Sequence, residues 1–328
     1  MKNHRPIILA IVGDSAAGKS TLTKGLVKIL GEERVTAVCT DDYHKYDRNE
    51  RAQLSITPLH PDCNYLDVLE LHLERLHYGQ PFLKPVYEHS TGSLIRPEYI
   101  RPKEFVIVEG LLGFHSPVMR QFYDVKVFLD PPEDLRAAWK INRDTAKRGY
   151  TPEQVLAEMK KREADTRDFI RPQRAHADIV VRFHPDPEVA PENAGPNLNV
   201  HLVLRPTIPH PDLSYLTDTS LQPAEGIRLE LGRDDGRPVD FLNIDGKVSS
   251  EHAKQLEDAI WQHLPDLRPI REDQFGDYLD RTETRHSHPL ALTQLLVAYH
   301  LLRKYKDLSN LPYAPPVAAL SRIQTSDK

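Results

Sequence analysis

Hydrophobic positions along the chain follow two alternating patterns. Short apolar runs, Ile7 to Val12, Val35 to Thr40, Phe105 to Val108, Val125 to Leu129 and Ala177 to Phe183, read as strands. Between them, apolar residues recur three and four apart, which reads as helix. The helical stretches are Lys19 to Leu30, with Leu22, Leu26, Ile29 and Leu30 on one face, and Leu66 to His77, closed by Gly79 and Pro81. Two more are Pro131 to Gly149, with Leu135, Ala138, Trp139 and Ile141 as its buried face, and the strongly charged Pro152 to Thr166. Strands alternating with helices predict an α/β protein with a mostly parallel sheet flanked by helices. Residues 84–100 predict a short hairpin turning at Thr91 and Gly92, and residues 43–63, which lack periodicity, a long functional loop.

Past residue 184 the pattern changes. Pro185 to Pro196 holds four prolines and three acids and reads as a connector. Beyond it, strands are expected at 200–205, 227–231 and 239–244, and helices at 249–264 and 288–305. That is too little to build a separate core, so the last third is expected to extend the same sheet.

The first strand runs into Gly13, and the residues that follow fit G-x-x-x-x-G-K-[ST], with Gly13, Gly18, Lys19 and Ser20 in the fixed positions. Two glycines let the backbone of Asp14, Ser15, Ala16 and Ala17 wrap a phosphate so that its N–H groups point inward at the start of a helix. Lys19 would reach the β- and γ-phosphates, the Ser20 hydroxyl would sit on Mg²⁺, and Thr21 completes the loop. The organisation expected is therefore a P-loop core over 1–184, a proline-rich connector over 185–199 and a C-terminal α/β extension over 200–328.

Composition narrows the partners. With 39% hydrophobic and 28% charged residues and a net charge of −5, the chain reads as soluble and lacks the basic excess of a general nucleic-acid binder. Anionic substrates must then be met locally. No apolar run is long enough to span a membrane, and Cys39 and Cys63 are too few for a disulfide framework, so a cytoplasmic protein is expected.

A P-loop alone implies only a nucleotide, and the GTPase base-reading signature N-K-x-D is absent. The second strand ends at Asp41 and Asp42, followed by Tyr43, His44 and Arg48. A carboxylate here can orient an acceptor hydroxyl and take its proton, while His44 and Arg48 suit an acceptor phosphate. The bland alternatives are a turn cap for the two acids and an ordinary polar loop residue for His44. Glu109, at the end of the third apolar run, has the form of a Walker-B acid beside Mg²⁺. Lys140, Arg143 and Asp144 fall at i, i+3, i+4, with Arg148 four residues on. They form either a basic face that stabilises the transferring phosphoryl group or a solvated helix face. Arg167, Arg171 and Arg174 read as a solvated face.

The pieces GDSAAGKST, TDDYHKYDR, NYLDVL, KPVYEHSTG, VIVEGLLGFH, FLDPPEDLRAAWKINRDTAKRGY and IRPQRAHADIVV resemble, in order, the phosphoribulokinase/uridine kinase family, and within it the phosphoribulokinase branch. The resemblance spans nearly all of residues 7–183. It implies ATP and Mg²⁺, a sugar-phosphate acceptor, ribulose 5-phosphate, and a homodimer. Asp41 would be the catalytic base, assisted by Lys19 and Arg143. His44, Arg48, Tyr87, His89, Lys140, Arg143, Asp144 and Arg148 would bind the substrate, and Ser20 and Glu109 the metal. Light-regulated members carry a P-loop cysteine where this chain has Ala17; Cys39 keeps only its counterpart, so no thiol switch is expected. The alternatives are a uridine or other nucleoside kinase and a catalytically idle nucleotide-binding protein.

Overall fold

A computed structural model of the chain describes residues 5–186, 197–217, 226–264, 275–280 and 283–309. The chain begins with β1 (Ile7–Gly13), α1 (Lys19–Leu30), β2 (Val35–Cys39), α2 (Arg48–Leu54) and α3 (Leu66–His77). A hairpin of β3 (Phe82–Glu88) and β4 (Ser93–Ile100) follows, then β5 (Phe105–Gly110), α4 (Pro117–Gln121), β6 (Val125–Leu129), α5 (Glu133–Arg148), α6 (Pro152–Asp165) and β7 (Ile179–His184). The last third supplies β8 (Asn199–Leu204), β9 (Ile227–Asp234), β10 (Arg237–Ile244), α7 (Ser250–Gln262), β11 (Asp277–Asp280), β12 (Glu283–His286) and α8 (His288–Ser309).

Eight strands form one sheet in the order β2-β5-β1-β6-β7-β8-β10-β9. The pairings from β2 to β7 are parallel and those from β7 to β9 antiparallel, so the extension continues the sheet. Ile7 to Val12 are at most 1% exposed, as a strand covered on both faces must be. Ile7, Leu9 and Ile11 belong to the core on the side of α1 and α8, whereas Ile8, Ala10 and Val12 belong to the core that holds Leu69, Leu73 and Leu76 of α3. The register aligns Cys39 with Glu109 and Val12 with Gly110, which brings the carboxyl ends of β2, β5 and β1 side by side. In parallel sheets that edge is where ligands bind.

Helix α8 is buried without a break from Pro289 to Leu302, the mark of a helix enclosed on all sides. It crosses α1 at Gly25, and the Gln294 amide donates to the Thr21 carbonyl at 3.3 Å and accepts from the Gly276 N–H at 2.7 Å.

Several elements depart from the sequence pattern. Residues 43–63 contain α2, closed at its start by a reciprocal cap between Asp47 and Glu50; none of its residues is buried, so it leaves no apolar period. The inward face of α5 is Leu135, Arg136, Lys140 and Asp144, while Ala138, Trp139 and Ile141 are only half-buried. The β11–β12 hairpin gave no signal because its strands are short and polar. Strands β9 and β10 reach further than their apolar runs, because Asp235 and Gly236, with φ of 50° and 76°, make a two-residue turn between them. Most of the expected connector, 187–196, lies outside the described residues.

Gly25→Ala tests the α1–α8 crossing. A Cβ at this position would stand 2.0 Å from the Gln294 side-chain carbonyl carbon. Alanine's helix propensity favours the change by about 1 kcal/mol, but displacing the buried amide leaves hydrogen-bonding groups unpaired at about 1–3 kcal/mol each. A lower urea midpoint is expected despite the better helix former, and an unchanged or higher one would refute this account.

Candidate active site

The P-loop is built from the end of β1. A side chain on Gly13 would press within 2.7 Å of the Leu129 carbonyl on β6, and Gly18, at φ 97°, opens α1. Ala16 holds φ 67°, a left-handed conformation that costs a residue with a side chain about 1–2 kcal/mol. The loop is braced from outside. Asp14 Oδ1 accepts from the Ser15 N–H at 2.6 Å, while Oδ2 pairs with Arg136 at 3.0 Å and accepts from the Thr166 hydroxyl at 3.1 Å. Arg136 also reaches the Ser15 carbonyl, and Arg143 donates to Ser15 Oγ at 3.3 Å. Lys19 Nζ folds back on the carbonyls of Gly13 and Asp14, both at 2.8 Å.

Across the sheet edge, β2 ends in a tight turn, Thr40–Tyr43, that carries both acids. Asp41 Oδ1 is buried and, among the described residues, has no hydrogen-bond partner. Its neighbour Asp42 instead pairs with the buried Lys84 and accepts from the Tyr87 N–H at 3.1 Å, so it ties the β3–β4 hairpin to the turn. His44 is buried, and its Nδ1 lies 2.8 Å from Asn64 Oδ1. Asn64 Nδ2 donates to the carbonyls of Pro58 and His60, so Oδ1 is the acceptor, and His44 Nδ1 carries the ring proton. Burial lowers the ring's proton affinity, leaving it neutral with Nε2 free to accept. Tyr87 stands edge-on to His44 and to His89, the latter also pushed down by burial.

Two guanidinium groups project from α2. Arg48 donates to the His89 carbonyl at 2.7 Å; Arg51 donates to Tyr46 O at 2.7 Å and Tyr87 Oη at 2.5 Å, with its charge over the Tyr87 ring. Glu109, at the end of β5, accepts from Ser20 Oγ at 3.3 Å and Thr23 Oγ1 at 2.8 Å. On α5, Asp144 gathers Arg143 at 2.8 Å, Lys140 at 3.0 Å and Arg148 at 3.4 Å. Burial works against the Asp144 charge, but the Arg143 hydrogen bond and the neighbouring cations hold its carboxyl below the usual range. Burial lowers Lys140 to about 8, against the pull of Asp144.

A single cleft of about 1580 Å³ gathers these groups. Ser15 to Thr21 form one wall; Asp41, His44, Arg48, Tyr87 and His89 form another; Glu109 and the four charged residues of α5 close it. Gly13 and Asp14 stand behind the lining, Asp14 as a brace whose side chain serves the loop rather than the cleft. Sequence reasoning missed Arg51, whose only signal was its place one turn after Arg48. It also missed Tyr278, Leu279 and Thr284, which the β11–β12 hairpin adds to the lining. Arg167 and Arg171 pair with Asp168 and Glu163 at the surface, but Arg174 belongs to a network with Asp130 and Asp234 that fastens β9 to the core. Both cysteines are free, and Cys39 lines the cleft.

A profile of the phosphoribulokinase/uridine kinase family matches residues 8–190. The chain is 34% identical to a phosphoribulokinase of Synechocystis over 326 residues, 93% of this chain and 96% of that one. It is 30% identical to a chloroplastic phosphoribulokinase of Triticum aestivum, covering 80% of this chain and 72% of the other. A uridine kinase of Chloroflexus aurantiacus is 32% identical over only 53% of this chain and 86% of its own. Among solved structures, a phosphoribulokinase from Rhodobacter spheroides shares the fold, with a TM-score of 0.54 at 19% identity over 80% of this chain and 95% of that one. The chain is thus a P-loop kinase and belongs to the phosphoribulokinase/uridine kinase family. Coverages of 93% and 80% of this chain mean that the alignments with the Synechocystis and wheat phosphoribulokinases extend beyond the first 184 residues.

The lowered Lys140 gives a testable pH dependence. Its useful form is the ammonium, which is lost as pH rises through about 8. kcat/KM for the nucleotide, which reports the free enzyme, is expected to fall on the alkaline side from about that pH, and Lys140→Arg, permanently charged, to abolish that limb. An identical alkaline limb in the variant would assign it to another group.

Proposed function

We propose that the protein transfers the γ-phosphoryl group of ATP to the C1 hydroxyl of ribulose 5-phosphate, giving ribulose 1,5-bisphosphate. The observation that carries this reading is the buried, unpartnered Asp41 Oδ1 at a cleft that also holds the P-loop and a pair of arginines. A carboxylate oxygen removed from water without a partner is costly to leave so, and an acceptor hydroxyl supplies the missing donor. Asp41 then orients that hydroxyl and takes its proton as the new P–O bond forms. A nucleoside acceptor brings no phosphate to answer Arg48 and Arg51, and the matched uridine kinase aligns with only 53% of this chain.

The residues divide by charge. Arg48 and Arg51 meet the acceptor phosphate, with Tyr87 and His89 beside them, while neutral His44 accepts from a sugar hydroxyl through Nε2. Main-chain N–H groups of Asp14 to Thr21 cradle the nucleotide phosphates, and Lys19 leaves its carbonyl partners to reach them. Lys140, Arg143 and Arg148 neutralise charge on the transferring group, with Asp144 as the counter-ion that holds them together. The hard oxygen donors of Ser20 and Glu109, 3.3 Å from one another, fit Mg²⁺. When bound with the nucleotide, that ion offsets the β- and γ-phosphate charge.

We read the enzyme as cytoplasmic and as a homodimer, with a kinase core to residue 184 and an extension from residue 200. Among the described residues no helix is long and apolar enough to cross a membrane, and β9 is the outer strand of the sheet, with Leu231 82% exposed. Among the described residues that edge is unpaired, and such an edge offers its main chain to a second copy. Leu231→Lys is expected to shift the molar mass in solution toward the monomer, and an unaltered mass would place the interface elsewhere.

Activity is tested by following ATP consumption with ribulose 5-phosphate, ribose 5-phosphate, uridine or cytidine. Turnover is expected on ribulose 5-phosphate alone, and turnover on a nucleoside would overturn the reading. Asp41→Asn should lower kcat by two or more orders of magnitude, with ATP affinity little changed; near-native turnover would remove Asp41 from its role.

A further inference from the structure

The nucleotide loop and the acceptor loop are joined through two consecutive residues where α6 ends. Asp165 is the last residue of the helix, and Thr166 opens a π-helical turn, Thr166–Ile170. Such turns are rare and concentrate at functional sites. Here the break lets neighbouring side chains serve different partners. Thr166 Oγ1, on a residue 5% exposed, donates to Asp14 Oδ2 at 3.1 Å. Asp165 Oδ2 accepts from Thr57 Oγ1 at 2.5 Å, and Thr57 Oγ1 in turn accepts from the Leu59 N–H at 3.1 Å.

From Thr57 the route continues to the acceptor site. The Pro58 and His60 carbonyls take both amide hydrogens of Asn64, at 3.1 and 2.9 Å, and Asn64 Oδ1 holds His44 Nδ1 at 2.8 Å. Asp14 is thus connected to the buried histidine by partly buried and buried side-chain hydrogen bonds joined through the main chain at Asp165–Thr166 and Thr57–Pro58, and a lowered local dielectric strengthens such bonds. The nucleotide end is sensitive to occupancy. The Asp14 carbonyl now accepts from Lys19, and that bond must break when Lys19 turns to a phosphate.

We propose that Asp165 and Thr166 are positioning residues that couple the two halves of the cleft, so that nucleotide in the P-loop tightens sugar-phosphate binding and the reverse. This rests on the reading of the P-loop and His44 as nucleotide and acceptor sites. Neither residue touches a reacting atom. Nucleotide binding fixes Asp14, the Thr166–Asp165 step carries that order to Thr57, and the acceptor loop is ordered before the sugar arrives. Because coupling is reciprocal, the sugar raises nucleotide affinity by the same factor.

The test is calorimetric titration of ribulose 5-phosphate into the intact enzyme, with and without a Mg²⁺-bound non-hydrolysable ATP analogue. In the native protein the analogue is expected to tighten sugar binding by at least about fivefold. Thr166→Val and Thr57→Val should each bring that ratio close to one while leaving affinity for the analogue alone within about twofold, and the double variant should lose no more than either single one. Thr166→Ser keeps the hydroxyl and should keep the ratio. A packing role for the methyl group would give the reverse, harmless in Val and felt in Ser. A native ratio near one, or a ratio kept in both Val variants, overturns the proposal although both ligands bind. Failure of either ligand to bind the native protein would instead overturn the site assignment on which it rests.

Discussion

Concentrated phosphate charge is the constraint on which the rest of this structure depends. A chain of net charge −5 has to hold a nucleotide and a phosphorylated acceptor in one cleft. Net charge matters little here, because charges more than about 8 Å away through solvent are largely screened at physiological salt. A pair of unit charges 4 Å apart near a protein surface is worth about 4 kcal/mol, against about 1 kcal/mol in bulk water. Locality therefore wins, and Lys19, Arg48, Arg51, Lys140, Arg143 and Arg148 are collected at one sheet edge. The same crowding would repel them from each other. Asp144 answers three of them at once, and Asp14 answers Arg136. These carboxylates are counter-ions that keep the cations in place until phosphate arrives, which explains why α5 turns a charged face inward.

The sequence was most legible where one physical signal dominates. Ile7 to Leu30 could be read almost residue by residue, because a doubly buried strand, a phosphate loop and an amphipathic helix each leave a distinct pattern. The residues expected to meet phosphate do converge, since strand ends and helix starts place them there. The failures share a cause: apolar periodicity cannot see polar structure. Helix α2 buries nothing and so has no apolar period, yet its Asp47 and Glu50 carry the capping pattern. The apolar pattern of α5 finds Leu135 on the buried face but not Arg136, Lys140 and Asp144, which share it. Arg51 and the β11–β12 hairpin enter the cleft through tertiary packing, on which local spacing is silent.

The extension is more than an appendage to the kinase core. Leu22, Leu26, Ile29 and Leu30 of α1 are buried in the cluster that α8 completes from the far end of the chain. Each such side chain contributes about 1.5–3 kcal/mol when removed from water. The helix that presents its N-terminus to phosphate is thus stabilised by residues more than two hundred positions away in the chain, through Gln294 among others.

The neutral state of His44 follows from the same economy of charge. A protonated ring beside Asp41 would make the carboxylate a weaker proton acceptor, since a neighbouring positive charge favours the ionised acid. Burial holds the ring neutral against the opposing pull of Asp41 and Asn64, and the Asn64 contact keeps the ring proton on Nδ1, leaving the lone pair on Nε2. In the proposed reaction, positive charge for the acceptor phosphate comes instead from the arginines of α2, anchored on the Tyr46 and His89 carbonyls and the Tyr87 hydroxyl. Placing the cations on a separate helix lets the site bind an anion strongly without disarming Asp41, and a histidine charged at neutral pH in the same position could not do both.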